Sequence, residues 1–247
     1  MQRRSGAALV SALGFSLILA GCATAPAEGE LVYDPAEPVN RSIHSFNKGV
    51  DTVVLRPAAT AYDTVTPTLV QHLLGNAFSH LSLPSVFVNQ LLQGDGEEAL
   101  ATLGRFGVNT VVGAGGTLDP ATEFGLPKEN TDFGITLAKW GVGEGAYVEL
   151  PFLGPSTARD TVGTIVDIAF SPTTYITGGA EVRIASATAR AVEIVDARSR
   201  NAALIDDILY SSEDSYVSVR ASYIQNRRRL AAGGETDVDA LPDLFSQ

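Results

Sequence analysis

Residues 94–116 read GDGEEALATLGRFGVNTVVGAGG, Gly94 to Gly116. The spacing predicts a helix from Glu97 to Val112 that is apolar almost all the way round, although Gly104 and Gly107 each cost about 1 kcal/mol of helix propensity relative to alanine. Its polar exceptions, Glu98, Thr102, Arg105 and Asn109, fall at i, i+4, i+7 and i+11 and so share one face. A surface helix of a soluble protein is a polar cylinder with one apolar stripe. Here the arrangement is inverted, and such a helix is satisfied by hydrocarbon or protein on most sides and by something polar on one. The segment alone also allows a core helix whose Arg105 is paired with a buried carboxylate, Asp160 or Asp167 being the candidates.

The pattern recurs. From Pro35 onward, Asn40, His44, Asn47 and Asp51 form a polar line beside the apolar line Val39, Ile43, Phe46 and Val50. Leu55-Arg56-Pro57 is expected to end that helix, because residues before proline avoid helical geometry. A short helix over Ala58 to Val65, a break at Pro67 and a third helix over Thr68 to Leu81 follow, the last with His72, Asn76, Ser79 and His80 close to one side. Pro84 is expected to open a further helix, Ser85 to Gln93. Gly113 to Leu126 reads as a loop, with Gly115-Gly116 giving sharp turns. Thr131-Asp132 is expected to cap a helix through Trp140, and Tyr147 to Pro151 to be the one extended piece. Pro155-Ser156 introduces a helix to Phe170 whose polar side carries Ser156, Asp160, Thr164 and Asp167. Helices over Glu181 to Ser199, Ala202 to Tyr210 and Glu213 to Leu230 complete an all-α chain with a short extended segment, without an internal repeat.

The N-terminus predicts a destination. Arg3-Arg4 followed by the apolar run Ala7 to Ala20 reads as a secretory signal, too short for a membrane span of about 20 residues. Leu19-Ala20-Gly21-Cys22 resembles a lipoprotein processing site, and Cys22 is the single cysteine, so no disulfide competes for it. Residues 1–21 are thus expected to be removed, leaving acyl chains on Cys22, a tether over 22–33, a folded region over 34–232 and an acidic, disordered tail over 233–247. Several acyl chains, at ~0.8 kcal/mol per buried methylene, make a stable anchor. Ala23, where an Asp would signal inner-membrane retention, favours the outer membrane.

The whole chain carries a net charge of −11; loss of residues 1–21, which hold Arg3 and Arg4 and no acid, takes it to −13. That argues against a nucleic-acid partner and against simple adhesion to anionic lipid. Yet 45% of the residues are hydrophobic. Catalytic parts are missing: there is no G-x-S-x-G elbow, no H-E-x-x-H, no Walker sequence and no Cys/His metal spacing. No cofactor is implied beyond the lipid on Cys22. Four helices with polar lines can close into a single ring-like bundle, lines inward and apolar faces outward, embedded in one membrane leaflet. At about 14–19 residues, or ~21–29 Å, the predicted helices mostly fall short of a full bilayer core. Polar groups at membrane depth are tolerated where they line a cavity, and a mixed lining suits a phospholipid. A lipoprotein hydrolase and a purely structural tether are the alternatives.

Over residues 34 to about 228 the sequence resembles the VacJ/MlaA family. The resemblance rests on Asp34-Pro35, Asn40-Arg41, Phe46-Asn47, Pro57 with Tyr62, Asn89 with Leu92-Gln93-Gly94, and Arg105-Phe106 with Asn109-Thr110. It continues through Gly113, Gly115-Gly116 and Asp119, Asp132-Phe133-Gly134, Gly141-Val142, Leu150-Pro151, Gly154-Pro155-Ser156 and Arg159-Asp160. His44 stands where the family has an aromatic residue, and His80 where it usually has Asn. The resemblance implies a helical ring in the inner part of the outer membrane, with an amphipathic channel. It implies association with a trimeric outer-membrane porin, and transfer of mislocalised outer-leaflet phospholipid to a soluble periplasmic carrier of the MlaC type. On this reading Asn40, Asn47, Arg105, Asn109, Asp160 and Asp167 line the channel, and Gly113, Gly115 and Gly116 give its loop mobility.

Overall fold

A computed structural model describes residues 32–171, 174 and 179–233. The expected signal peptide, Cys22, most of the tether and nearly all of the acidic tail lie outside the described residues.

The chain is mostly helical. Helix α1, Glu37–Val50, opens with Pro38 in its first turn and a glutamate at its positive end. It does not stop before Pro57. A π-helical turn over Asp51–Leu55 carries it directly into α2, Arg56–Val65. The N–H of Arg56 reaches back five residues to the carbonyl of Asp51, and that wider turn absorbs the proline, which then sits in the first turn of α2. Pro84 is accommodated too. Helix α3 runs unbroken over Thr68–Gln93, 26 residues, with Pro84 inside it. A proline biases against helix, but packing of both halves on neighbouring helices overrides the bias. Gly94, at φ 82°, closes α3, and α4, Gly96–Val111, is the helix expected at Glu97 to Val112.

Asp119 precedes a single turn, α5, Pro120–Glu123. Asp132 caps α6, Phe133–Lys139, by accepting from the N–H of Ile135. Tyr147–Leu150 is extended as expected, but it is one half of an antiparallel hairpin. Its partner, Gly154–Thr157, pairs Tyr147 with Thr157 and Leu150 with Gly154. Pro155-Ser156 therefore lies in strand β2, and α7 begins only at Ala158, capped by Thr157, and ends at Phe170. Helices α8, Ala180–Arg200, and α9, Ala202–Asp206, lead into a second π-helical turn, Asp207–Ser211. Helix α10, Ser215–Ala231, is capped by Asp214, which accepts from the N–H groups of Tyr216 and Val217.

Packing contacts close into a circuit. Helices α1 and α2, joined by the π turn, lead to α8, then to α3, α6, α10 and the hairpin, whose β1 strand returns to α1. Helix α4 packs along α3 and α7 packs on α6. At the α6–α7 crossing, a Cβ on Gly163 would lie 2.4 Å from the Gly134 backbone nitrogen, so these backbones approach as only glycine allows.

What the fold buries is inverted. Among the described residues, eighteen polar or charged side chains are buried against ten apolar ones. Large apolar residues stand out instead on α1, α3, α4, the hairpin and α7, including Val39, Phe46, Leu69, Leu100, Val111, Phe152 and Ile165. Patches of that extent mark contact with lipid or another protein. No helix among the described residues is long and apolar enough to cross a membrane.

Candidate functional site

The polar lines of the helices meet partners within the protein. On α1, Asn40 and Asn47 lie two turns apart and face strand β1. Asn40 donates to the Tyr147 carbonyl (3.1 Å) and to Asp34 (2.8 Å), and its Oδ1 accepts from the Glu149 N–H (3.0 Å). Asn47 donates to the Leu150 carbonyl (3.0 Å) and accepts from the Phe152 N–H (2.8 Å). The two asparagines thus act as a third strand for the hairpin edge, satisfying backbone groups that would otherwise be orphaned.

Arg105 is paired, as the core-helix alternative required, but with Asp119 rather than with Asp160 or Asp167. Its Nη2 lies 2.8 Å from both Asp119 oxygens, and its Nη1 donates to the Leu126 carbonyl at 2.6 Å. Asn109 joins the cluster, donating to Asp119 (2.8 Å) and accepting from the Ala121 N–H (3.0 Å). Burial pushes the Asp119 carboxyl up, but bonds from Thr122 and Asn109 and the charge of Arg105 outweigh it and hold it below the ordinary carboxylate range.

Asp160 is the centre of a third cluster. It receives Arg227 through Nε and Nη2 (both 3.0 Å), Arg159 Nε (3.0 Å) and the Tyr223 hydroxyl (2.9 Å), while Arg227 also grips Asp132 at 2.6 and 2.9 Å. Burial acts to raise its pKa, but the Arg227 and Arg159 contacts win and lower it. Asp167, two turns further along α7, has no cation bound to it among the described residues. Asn89 (2.8 Å) and the Phe133 N–H (2.9 Å) donate to it. Burial dominates there and raises its pKa. Asp167→Asn removes a buried charge at the loss of one acceptor, so stability at pH 7 is expected to change by less than about 1 kcal/mol in a denaturant titration.

The six residues expected to line one channel are therefore distributed over four seams, all bonded to protein in this conformation. The physical reason is general: a polar group on an otherwise apolar helix finds a protein partner where the fold offers one. Of the six, Arg105 and Asn109 border a small cleft inside the protein. It lies between α3 and α4, walled by Asn76, Ser79 and His80 on one side and by Arg105, Asn109 and Asp119 on the other, with Lys128 also at its wall. Its free volume, about 10 Å³, holds a single water. Gly113 and Gly116 form the turn beside it. A Cβ on Gly113 would lie 2.5 Å from the Asn109 carbonyl, and one on Gly116 (φ 90°) 2.2 Å from the His80 ring. Gly115 also has positive φ, 70°. These glycines are required for close approach and handedness.

Sequence reasoning missed the partners that make the seams: Glu149, Arg227, and the Asp51–Arg198–Asp206 cluster, in which Arg198 lies 2.7 Å from Asp51 and 2.5 Å from Asp206. Their separations of 100 or more residues for Glu149 and Asp51 leave no local periodicity to read. A Ser–His–Glu line does occur, with Ser215 Oγ 3.0 Å from His44 Nε2 and Glu149 Oε1 3.6 Å from His44 Nδ1. The second distance is too long for a hydrogen bond. The N–H groups of Tyr216 and Val217 beside the serine are occupied by Asp214, so this line reads as a clamp between α1, β1 and α10. Among the described residues no group of His, Cys, Asp and Glu is arranged to hold a metal.

Comparison with known proteins agrees with this architecture. The family model for the MlaA lipoprotein matches residues 32–230. The intermembrane phospholipid transport system lipoprotein MlaA of Escherichia coli (strain K12) is 35% identical over 238 residues, covering 94% of this chain and 91% of that one. Its namesake in Haemophilus influenzae is 31% identical over 244 residues, 95% of each chain. A chain solved in work on the structural basis for maintenance of bacterial outer membrane lipid asymmetry superposes with a TM-score of 0.70 at 34% identity, covering 80% of this chain and 98% of that chain. A match spanning the whole described fold, from the residues before α1 to the end of α10, shows that the chain belongs to the MlaA lipoprotein family.

Proposed function

We propose that this protein is an outer-membrane lipoprotein that takes mislocalised phospholipid from the outer leaflet and passes it to a soluble periplasmic carrier, keeping the membrane asymmetric. The observation that carries the reading is the inversion of burial: charged and amide side chains inside, large apolar ones outside, with no helix among the described residues long and apolar enough to cross a bilayer. A protein so built sits in one leaflet with its apolar belt in lipid and its polar seams shielded. The names carried by its relatives in E. coli and H. influenzae, and the lipid asymmetry studied with its structural neighbour, support the same reading. The lipid path runs along the α3–α4 cleft, where Arg105 and Asn109 border it. It opens by movement at Gly113, Gly115 and Gly116, because the closed cleft admits one water. Asn40, Asn47, Asp160 and Asp167 hold the ring together around that path. A trimeric porin serves as the neighbour in the membrane, meeting part of the apolar belt.

Acylated Cys22 holds the ring at the membrane. Cys22→Ala is expected to move the protein from the outer-membrane fraction to an unprocessed, inner-membrane form, read by fractionation and immunoblot.

The reading is tested by expressing the chain in a Gram-negative host that lacks its own family member. Outer-leaflet phospholipid, measured by surface-selective labelling, should return to the parental level. Persistently high surface phospholipid with correctly localised, folded protein would sink the proposal. Restored porin assembly without restored asymmetry would favour the tether, and fatty-acid release by purified protein the hydrolase.

A further inference from the structure

We propose that the α3–α4 cleft is a binding site for a phosphate-type oxyanion, with Arg105 Nε and His80 Nδ1 as its inner contacts, and that filling the site places a proton on His80. The proposal rests on the transport reading for the identity of the anion that reaches the cleft, a phosphodiester headgroup.

Two residues of the cleft wall each carry a buried side-chain atom with no hydrogen-bond partner among the described residues, His80 Nδ1 and Arg105 Nε. They belong to residues only 7% and 2% exposed. Buried polar atoms are almost always paired, and two orphans on one cavity are the footprint of something that binds there.

The protonation state follows from Thr110. Its hydroxyl lies 2.6 Å from the Phe106 carbonyl and 3.2 Å from His80 Nε2. A hydroxyl has one proton and a carbonyl only accepts, so that proton goes to Phe106 and Nε2 must carry the hydrogen given to Thr110. In the neutral ring Nδ1 is then a bare acceptor. His80 and Arg105 thus contribute one acceptor and one donor.

A phosphodiester has only acceptor oxygens. It is held favourably when Nδ1 carries a proton, so that Arg105 Nε–H and His80 Nδ1–H both donate. The charges facing the ring are Arg105 and Lys128, both positive, and Asp119, already bonded to Arg105, Asn109 and Thr122. The remaining neighbours, Phe106 stacked at 4.8 Å and Gly116, are uncharged. With His80 protonated the wall carries two net positive charges, which suits an anion. Lys128 and Ser79 touch at 3.3 Å in an exposed contact that can part to admit it. Burial holds the ring below the ordinary histidine value while the cleft is empty.

The chain has three histidines, so ¹⁵N ring signals of the full-length protein in maltoside micelles can be followed individually. Dihexanoyl phosphatidylglycerol, inorganic phosphate and uncharged dihexanoylglycerol are the probes. The phosphatidylglycerol is expected to raise the His80 titration midpoint by at least about one pH unit relative to dihexanoylglycerol. Between the two midpoints its apparent Kd should weaken about tenfold per pH unit. An equal response to inorganic phosphate supports the site and makes free phosphate its ligand. No movement of His80 with either phosphate probe overturns the proposal. His80→Asn, with an amide donor that does not titrate, should still bind but lose the pH dependence; retention of the wild-type dependence would also overturn it. Lipid transfer by a protein whose His80 does not respond would reject the site and leave transport standing. A His80 response without transfer would do the reverse.

Discussion

Replacing Arg227 with methionine is expected to destabilise the protein by about 3 kcal/mol, the low end of the cost of breaking a buried ion pair, because Arg159 still faces Asp160. Arg227 stands at the junction of α6, α7 and α10. It binds Asp160 of α7 through two nitrogens and the α6 cap residue Asp132 through two more contacts. Asp160 is almost fully buried, so removal of the guanidinium leaves its charge to Arg159 and Tyr223 alone. Only glycine at 134 permits the approach, since a Cβ there would lie 2.6 Å from both Arg227 Nη2 and Asp160 Oδ1. The effect has a pH signature. Because the folded-state pKa of Asp160 is depressed, its stabilisation is present above the unfolded carboxylate value of about 3.9 and lost as pH falls through the folded one. Wild-type stability should therefore decline on acidification below about pH 4, and the Arg227→Met protein should show a smaller decline. Denaturant titration in micelles at pH 7 and below measures both. Arg227→Met combined with Asp160→Leu should recover part of the loss, and not all, because Arg159 then lacks its own partner.

The second large effect is expected at Asp119. Asp119→Ala strips Arg105 of its carboxylate and Asn109 of an acceptor in one step, and about 3–5 kcal/mol is the scale for a buried charge left unpaired. Unlike the Arg227 cluster, this one borders the cleft. The loss should appear locally as faster hydrogen exchange in α5 and in the turn over Gly113–Gly116, which α4 positions through the bond from Gly116 N–H to the Asn109 carbonyl (2.8 Å). Arg105→Met paired with Asp119→Leu should regain stability without regaining lipid transfer. That separates the structural share of the pair from its share at the lipid path.

Much of this architecture is legible in the chain. The polar line Glu98, Thr102, Arg105 and Asn109 identifies α4 to within a residue at each end, and three of its four members are buried. The cap at Asp132 follows local chemistry that a sequence displays, whereas Asp214, which caps α10, falls inside the helix expected from Glu213. The prolines mislead because their effect depends on what surrounds them. Pro57 is absorbed by a π turn whose Asp51 is held by Arg198, 147 residues away, and Pro84 by packing of α3. Strand β2 is invisible because Gly154-Pro155-Ser156-Thr157 has no alternating apolar pattern; its edge is made by pairing with β1. The polar lines were legible as lines but not as seams. A periodicity shows which residues share a face, and it cannot show that Asn40 meets a strand, Asp160 an arginine and Asp167 an amide.

An inverted, lipid-embedded ring that conducts phospholipid must speed the lipid's passage to an acceptor in water. The direct test is transfer of labelled phospholipid from vesicles bearing the membrane-inserted protein to a soluble lipid-binding acceptor. Transfer should exceed that of protein-free vesicles and fall to background with Asp119→Ala, while Asp167→Asn keeps most of it. Transfer no faster than in protein-free vesicles, from a protein shown by its melting transition to be folded, would contradict the account.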